Sequence, residues 1–103
     1  MKSKILQAFL LACDKADPMN EYVEEFCTKG GFERSQLLIR SRKIEFVRIK
    51  RLFANFMCDR YTKNEIARYL NMNHSTVIHY LNTHSENLEY DKTYKHMWNK
   101  VIH

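Results

Sequence analysis

Apolar residues recur at three- and four-residue intervals along most of the chain, the period of an α-helix that buries one face. Ile5, Leu6, Phe9, Leu10 and Cys13 predict a first helix over Ser3 to Lys15, which Asp17-Pro18 closes, because proline disfavours helix in the residue before it. Tyr22, Val23 and Phe26 form the stripe of a second helix, from Asn20 as N-cap to Thr28, and Gly30-Gly31 ends it. A short helical segment follows over Arg34 to Ile39. Ile49, Leu52, Phe53 and Phe56 then mark the buried face of a long helix, from about Ser41 to Arg60.

Thr62-Lys63-Asn64-Glu65 has the spacing of a capping box, in which the Thr hydroxyl and the Glu carboxylate each accept from the other residue's backbone N–H. The helix it starts runs to Leu70 and buries Ile66 and Leu70, with small Ala67 where two helices cross closely. Asn71 fills the turn, since Asn tolerates a left-handed backbone better than any residue except Gly. A further helix runs from Asn73 to about His84, with Val77, Tyr80 and Leu81 inward and Ser75, Thr76 and His79 outward. A last helix starts at Asp91 as N-cap and packs through Tyr94, Met97, Trp98 and Val101. Helix, tight turn and helix over 62–84 form a helix-turn-helix, whose second helix opens on Asn73, His74, Ser75 and Thr76. Short polar groups at that position suit contact with base edges in a DNA major groove.

Two glycines and one proline supply little hairpin chemistry, and no segment sustains strand alternation. An all-α domain follows. The chain shows no internal repeat and no low-complexity tract.

The net charge of +5 is distributed unevenly. Residues 1–33 carry four basic and six acidic groups, residues 34–84 carry ten and three, and residues 85–103 carry three of each. The positive field thus coincides with the helix-turn-helix, which favours a polyanionic partner over a merely solvated face. Arg42, Lys43, Arg48, Lys50 and Arg51 load the N-terminal half of the long helix, against its macrodipole. Of Arg48, Lys50 and Arg51, which sit on different sides of that helix, Arg48 is expected to meet a polyanion and the other two to face solvent.

Several classes are disfavoured. Three cysteines (Cys13, Cys27 and Cys58) form no CxxC pair and fit buried free thiols of a cytoplasmic protein. The N-terminal run around Phe9 is short and interrupted by Gln7, so it fits a helix face better than a leader, and no run is long enough to span a membrane. His74, His79 and His84 are five residues apart, a spacing that puts them on different helix faces and gives no metal site. No paired carboxylates, nucleophile triad or phosphate loop supports an enzyme or a cofactor. Trp98 and Tyr94 are expected in the core rather than as a base-stacking platform.

Arg40-Ser41-Arg42, Arg48, Thr62-Lys63-Asn64-Glu65-Ile66 and Asn73-His74-Ser75-Thr76-Val77-Ile78-His79 resemble the C-terminal DNA-binding domain of the bacterial replication initiator DnaA. The resemblance covers about Leu37 to His84. It implies a helical bundle similar to the Trp-repressor helix-turn-helix, with Asn73, His74, Ser75 and Thr76 on bases. By the same resemblance Arg40 reaches a minor groove, and Arg48, Lys63, Asn64 and His79 hold phosphates, with Arg42 beside them in the basic segment. The chain departs from the family in three ways. Asn73 replaces an acidic residue, the turn lacks the family's glycine pair and is one residue shorter, and no ATPase module is present.

The expectation is therefore one all-α domain, with N-terminal helices over 1–31, a DnaA-like helix-turn-helix over 37–84 and a C-terminal packing helix over 85–103. It binds double-stranded DNA in replication control or transcriptional regulation, as a phage or mobile-element product, with no small-molecule substrate. A rival expectation is a protein-interaction module derived from an initiator domain, docking a replication or regulatory protein through Glu21, Glu24, Glu25 and Glu33.

Overall fold

A computed structural model describes residues 18–103. The helix expected over Ser3 to Lys15, and Cys13 with it, lies outside the described residues. The described chain forms seven helices and no strand: α1 Pro18–Gly30, α2 Arg34–Leu38, α3 Ile44–Met57, α4 Lys63–Leu70, α5 His74–Asn82, α6 His84–Tyr90 and α7 Lys92–Ile102. The all-α expectation holds.

Local chemistry sets most of the boundaries. Gly31 takes φ +75°, and the Phe32 N–H returns to the Cys27 carbonyl at 2.9 Å, the bond that closes a Schellman motif. Phe32 then packs on Phe26, ring centroids 5.3 Å apart. A side chain at Gly30 would collide with the Phe32 ring, so both glycines have a structural use. Asn20, expected as a cap, lies inside α1. At α4 the capping box is formed: Thr62 Oγ1 accepts from the Glu65 N–H at 3.2 Å, and Glu65 accepts from the Thr62 N–H at 2.8 Å.

Central α3 touches every other described helix. Its Ile49, Leu52, Phe53 and Phe56 are buried with Val23 and Phe26 of α1, Leu37 of α2, Ile66 and Leu70 of α4, Val77 and Tyr80 of α5, and Tyr94 and Val101 of α7. Met97 and Trp98 pack against this core, as their spacing predicted.

Four expectations need correction. α3 starts at Ile44, so Arg42 stands in an extended segment before it and Lys43 is its N-cap, rather than both lying in its first turns; of the two, Lys43 remains at the positive end of the helix dipole. Lys50 and Arg51, expected in solvent, are only 6% and 7% exposed, because a helix surrounded on all sides has a buried face wider than one stripe. α5 ends at Asn82, and a separate helix, α6, precedes α7. Thr83 makes the break: its N–H and its hydroxyl both return to the His79 carbonyl, at 3.0 and 2.8 Å, which draws the backbone away from helical continuation. Finally, the Cys58 thiol is exposed and Cys27 is half-buried, whereas both were expected in the core.

Candidate nucleic-acid interface

The turn between α4 and α5 is three residues long, 71–73. Asn71 takes φ 56°, ψ 52°, the left-handed conformation its sequence position called for. The Asn71 and Met72 N–H groups return to the last carbonyls of α4, on Arg68 and Ala67, and Ala67 is buried beneath them. This compact turn delivers the first residues of α5 to the surface: Asn73, His74 and Ser75 are exposed and Thr76 is half-buried, while Val77 below them is fully buried.

Asn73 is the N-cap of α5, yet its side chain makes no capping bond; only its carbonyl takes part, accepting from Thr76 and Val77. The His74 and Ser75 N–H groups therefore have no capping partner, at the end where a helix attracts negative charge. The Asn73 amide is also left without a protein partner among the described residues.

Beside this turn lies an open cleft of about 610 Å³. Arg40 and Arg42 line it from the extended segment, Lys50 from α3, and Asn71, Asn73 and Thr76 from the turn and α5, over apolar Val47, Leu70 and Met72. Among the described residues no carboxylate lines it. Lys50 Nζ donates to the Ile39 carbonyl, which pins the extended segment to α3. Burial pushes the Lys50 ammonium below its ordinary range, since no counter-charge accompanies it.

Of the residues singled out in the sequence, Arg40, Arg42, Asn73 and Thr76 come together in this cleft. His74, Ser75 and His79 are exposed on α5, and Lys63 and Asn64 on the first turn of α4. Arg48 lies elsewhere. It shares a hollow with Glu86, Asn87, Tyr90, Asp91 and Lys92, and it pairs with Asp91 at 2.8 Å. Lys50 was missed as a lining residue. The spacing Val47 to Lys50, one helical turn, put both on one side of α3, but nothing in the sequence showed that the chain before α3 folds over that side.

Below the end of α5, Arg51 is enclosed by aromatic residues. Its guanidinium carbon sits 5.3 Å from the Tyr80 ring centroid and 5.9 Å from that of Tyr94, and Nε donates to Thr83 Oγ1 at 3.1 Å. The same pocket holds His84 Nδ1 2.6 Å from the Tyr94 hydroxyl. This group joins α3, α5, α6 and α7 and fixes the direction in which α5 leaves the bundle. Among the described residues, no three His, Cys, Asp or Glu side chains converge as a metal site, and no helix is long and apolar enough to cross a membrane.

Compared with known protein families, with curated proteins and with solved structures, the chain gave no match.

Proposed function

We propose that this protein binds double-stranded DNA, with α4, the turn and α5 acting as a helix-turn-helix in a bundle similar to that of the Trp repressor and the DnaA C-terminal domain. The observation that carries this reading is the outer end of α5. It is a helix start with exposed polar side chains, a cap residue whose amide is not used for capping, and arginines alongside rather than acids. In the proposed complex Asn73, His74, Ser75 and Thr76 contact bases, which specify, while cationic and N-terminal backbone groups contact phosphates, which position. Arg40 and Arg42 extend the contact to the neighbouring backbone or minor groove, and Lys63, Asn64 and His79 flank it. Arg48 contributes through the N–H groups of Nη1 and the outer one of Nη2, because Nε and one N–H of Nη2 are held by Asp91. The role is in replication control or transcriptional regulation, on a phage or mobile element.

The alternative, a protein-docking face on α1, is less favoured. Glu25 pairs with Lys29 at 3.1 Å and Glu24 approaches Arg34 at 4.0 Å, so two of its four acids already have cations nearby.

Selection from a random duplex pool tests the proposal, followed by salt titration on the selected site. Enrichment of one sequence is expected, with a log–log salt slope matching about four to six phosphates. His74→Ala should cost about 1–3 kcal/mol on that site and little on random duplex. No enrichment, together with salt-insensitive binding, refutes the reading.

A further inference from the structure

Lys50 presents a problem that the helix-turn-helix alone does not solve. The residue is only 6% exposed. An ammonium group has three donors, and one of them meets the Ile39 carbonyl. Among the described residues no other acceptor is bonded to it, and no carboxylate pairs with it. A buried charge is ordinarily retained only when a counter-charge or a full set of hydrogen bonds accompanies it. Here neither is complete, and the residue lines a cleft with two more cations and, among the described residues, no acid. The Asn73 side-chain amide, which makes no capping bond, lies at the rim of the same cleft.

We propose that this cleft is an anion pocket built for one phosphate group, with the Lys50 ammonium as its buried donor and the Arg40 and Arg42 guanidinium groups at its walls. The source of the phosphate rests on the DNA-binding reading: there it is a phosphodiester of the strand beside α5. A free phosphate would satisfy the same groups. Binding completes the coordination of Lys50 and draws the extended segment 39–43 against the turn, so that phosphate contact and the placement of Asn73 are linked. Three kinds of side-chain donor (ammonium, guanidinium and the Asn73 amide) then converge on one anion. Lys50 is thus assigned as a positioning residue of the interface, although nothing marks it as exposed.

Two measurements on the full chain test this, each with Lys50→Met and with Lys50→Arg. Methionine keeps the length of the side chain and removes a buried charge, so folding is retained, as thermal melts would verify. In the first, duplex affinity is followed by fluorescence anisotropy across salt concentrations. Lys50→Met should bind every duplex about tenfold more weakly, with a salt slope smaller by about one, and Lys50→Arg should recover most of the loss. In the second, inorganic phosphate is titrated while the amide resonances of Asn71, Asn73 and Thr76 are followed. Saturable shifts that Lys50→Met abolishes support the pocket without any DNA. If they occur while no duplex binds, the occupant is a free phosphate and the DNA reading falls while the pocket stands. If duplex affinity depends on Lys50 and phosphate alone gives no shift, the occupant is the phosphodiester. Lys50→Met behaving as wild type in both measurements, or neither ligand acting on the wild-type protein, overturns the proposal.

Discussion

The Arg48 guanidinium holds the Asp91 carboxylate in a two-point grip, Nε to Oδ2 at 2.8 Å and Nη2 to Oδ1 at 3.3 Å. The same carboxylate caps α7, accepting from the Tyr94 N–H at 3.2 Å. Forty-three residues apart in sequence, the two side chains fasten the last helix to the central one. A residue expected from the sequence to hold phosphate is thus also a tie within the fold.

That double use makes Asp91 sensitive to acid. The hydrogen bond from Arg48 first, and then the Tyr94 N–H, hold its carboxyl below the ordinary value of 3.8, against an opposing effect of burial. A carboxylate depressed in the folded state gives stability that is complete above its unfolded pKa and is lost as pH falls through the folded one. Urea melts should therefore show Asp91→Ala destabilised by about 2 kcal/mol at neutral pH, with the gap to wild type narrowing as pH falls through the depressed pKa of the folded carboxyl. Asp91→Asn keeps the cap but not the charge, and should fall between them. A gap that persists unchanged in acid would show that the ion pair is not its origin.

His84 gives a second pH dependence, nearer neutrality. Burial, aided by the Arg51 charge, pushes its imidazole below the ordinary 6.5. Burial also holds the Tyr94 phenol protonated well above its usual range. A neutral imidazole whose Nδ1 accepts a hydrogen bond from the phenol O–H satisfies both groups. With the folded pKa below the unfolded one, the unfolded chain binds its proton first. Stability is then complete above about pH 6.5 and declines as pH falls toward the folded value. His84→Gln should flatten this stretch of the profile. It should also cost about 1 kcal/mol at pH 7.5, through loss of the edge-to-face contact with Trp98, whose centroid is 4.5 Å away. An NMR titration that finds His84 protonating at or above the free value would contradict the assignment.

The turn that aims α5 can be tested without any ligand. Asn71 is the sole non-glycine residue with positive φ among the described residues. Asn71→Ala should lose about 1 kcal/mol, because alanine resists the left-handed conformation, and Asn71→Gly should be neutral or slightly stabilising. Equal destabilisation by both would mean that the side chain, not the backbone, holds the turn.

Local signals carried the sequence reading furthest. The Thr62 box, the Gly30-Gly31 stop, Asn71 and Asp91 each act within a few residues, and each was legible from its neighbours. Thr83-His84-Ser85-Glu86 repeats the Thr-x-x-Glu spacing of the start of α4, but no capping box forms there: the Thr83 hydroxyl turns back to the His79 carbonyl, and the weak apolar pattern of α6 gave no other sign of a separate helix. The fate of the cations was not legible in the same way. Arg48, Lys50 and Arg51 differ by position on one helix, but whether each meets a carboxylate, a carbonyl or two aromatic rings depends on segments 11 to 43 residues away. Charge counting placed the positive field correctly along the chain. It could not show that two of its members are inside, or that Arg40 and Arg42 reach the surface on an extended segment.

The sharpest test of the interface lies at Asn73, where stability and recognition separate. A side-chain amide in a major groove pairs with adenine through N6 and N7, whereas a carboxylate accepts from cytosine N4. Asn73→Asp exchanges one for the other with almost no change in shape. At the cap of α5 the substitution should hold or raise stability, because aspartate is an equally good N-cap and its charge complements the helix dipole. On the proposed reading, duplex selection with this variant should change one base position from adenine toward cytosine, with a discrimination of about 1–3 kcal/mol. The preference at distant positions should stay as it was. The carboxylate should also weaken binding overall, since it faces the phosphates that the Arg40–Arg42 segment attracts. An unchanged preferred sequence at undiminished affinity would remove Asn73 from the base-contacting set and leave the outer end of α5 as a positioning element alone.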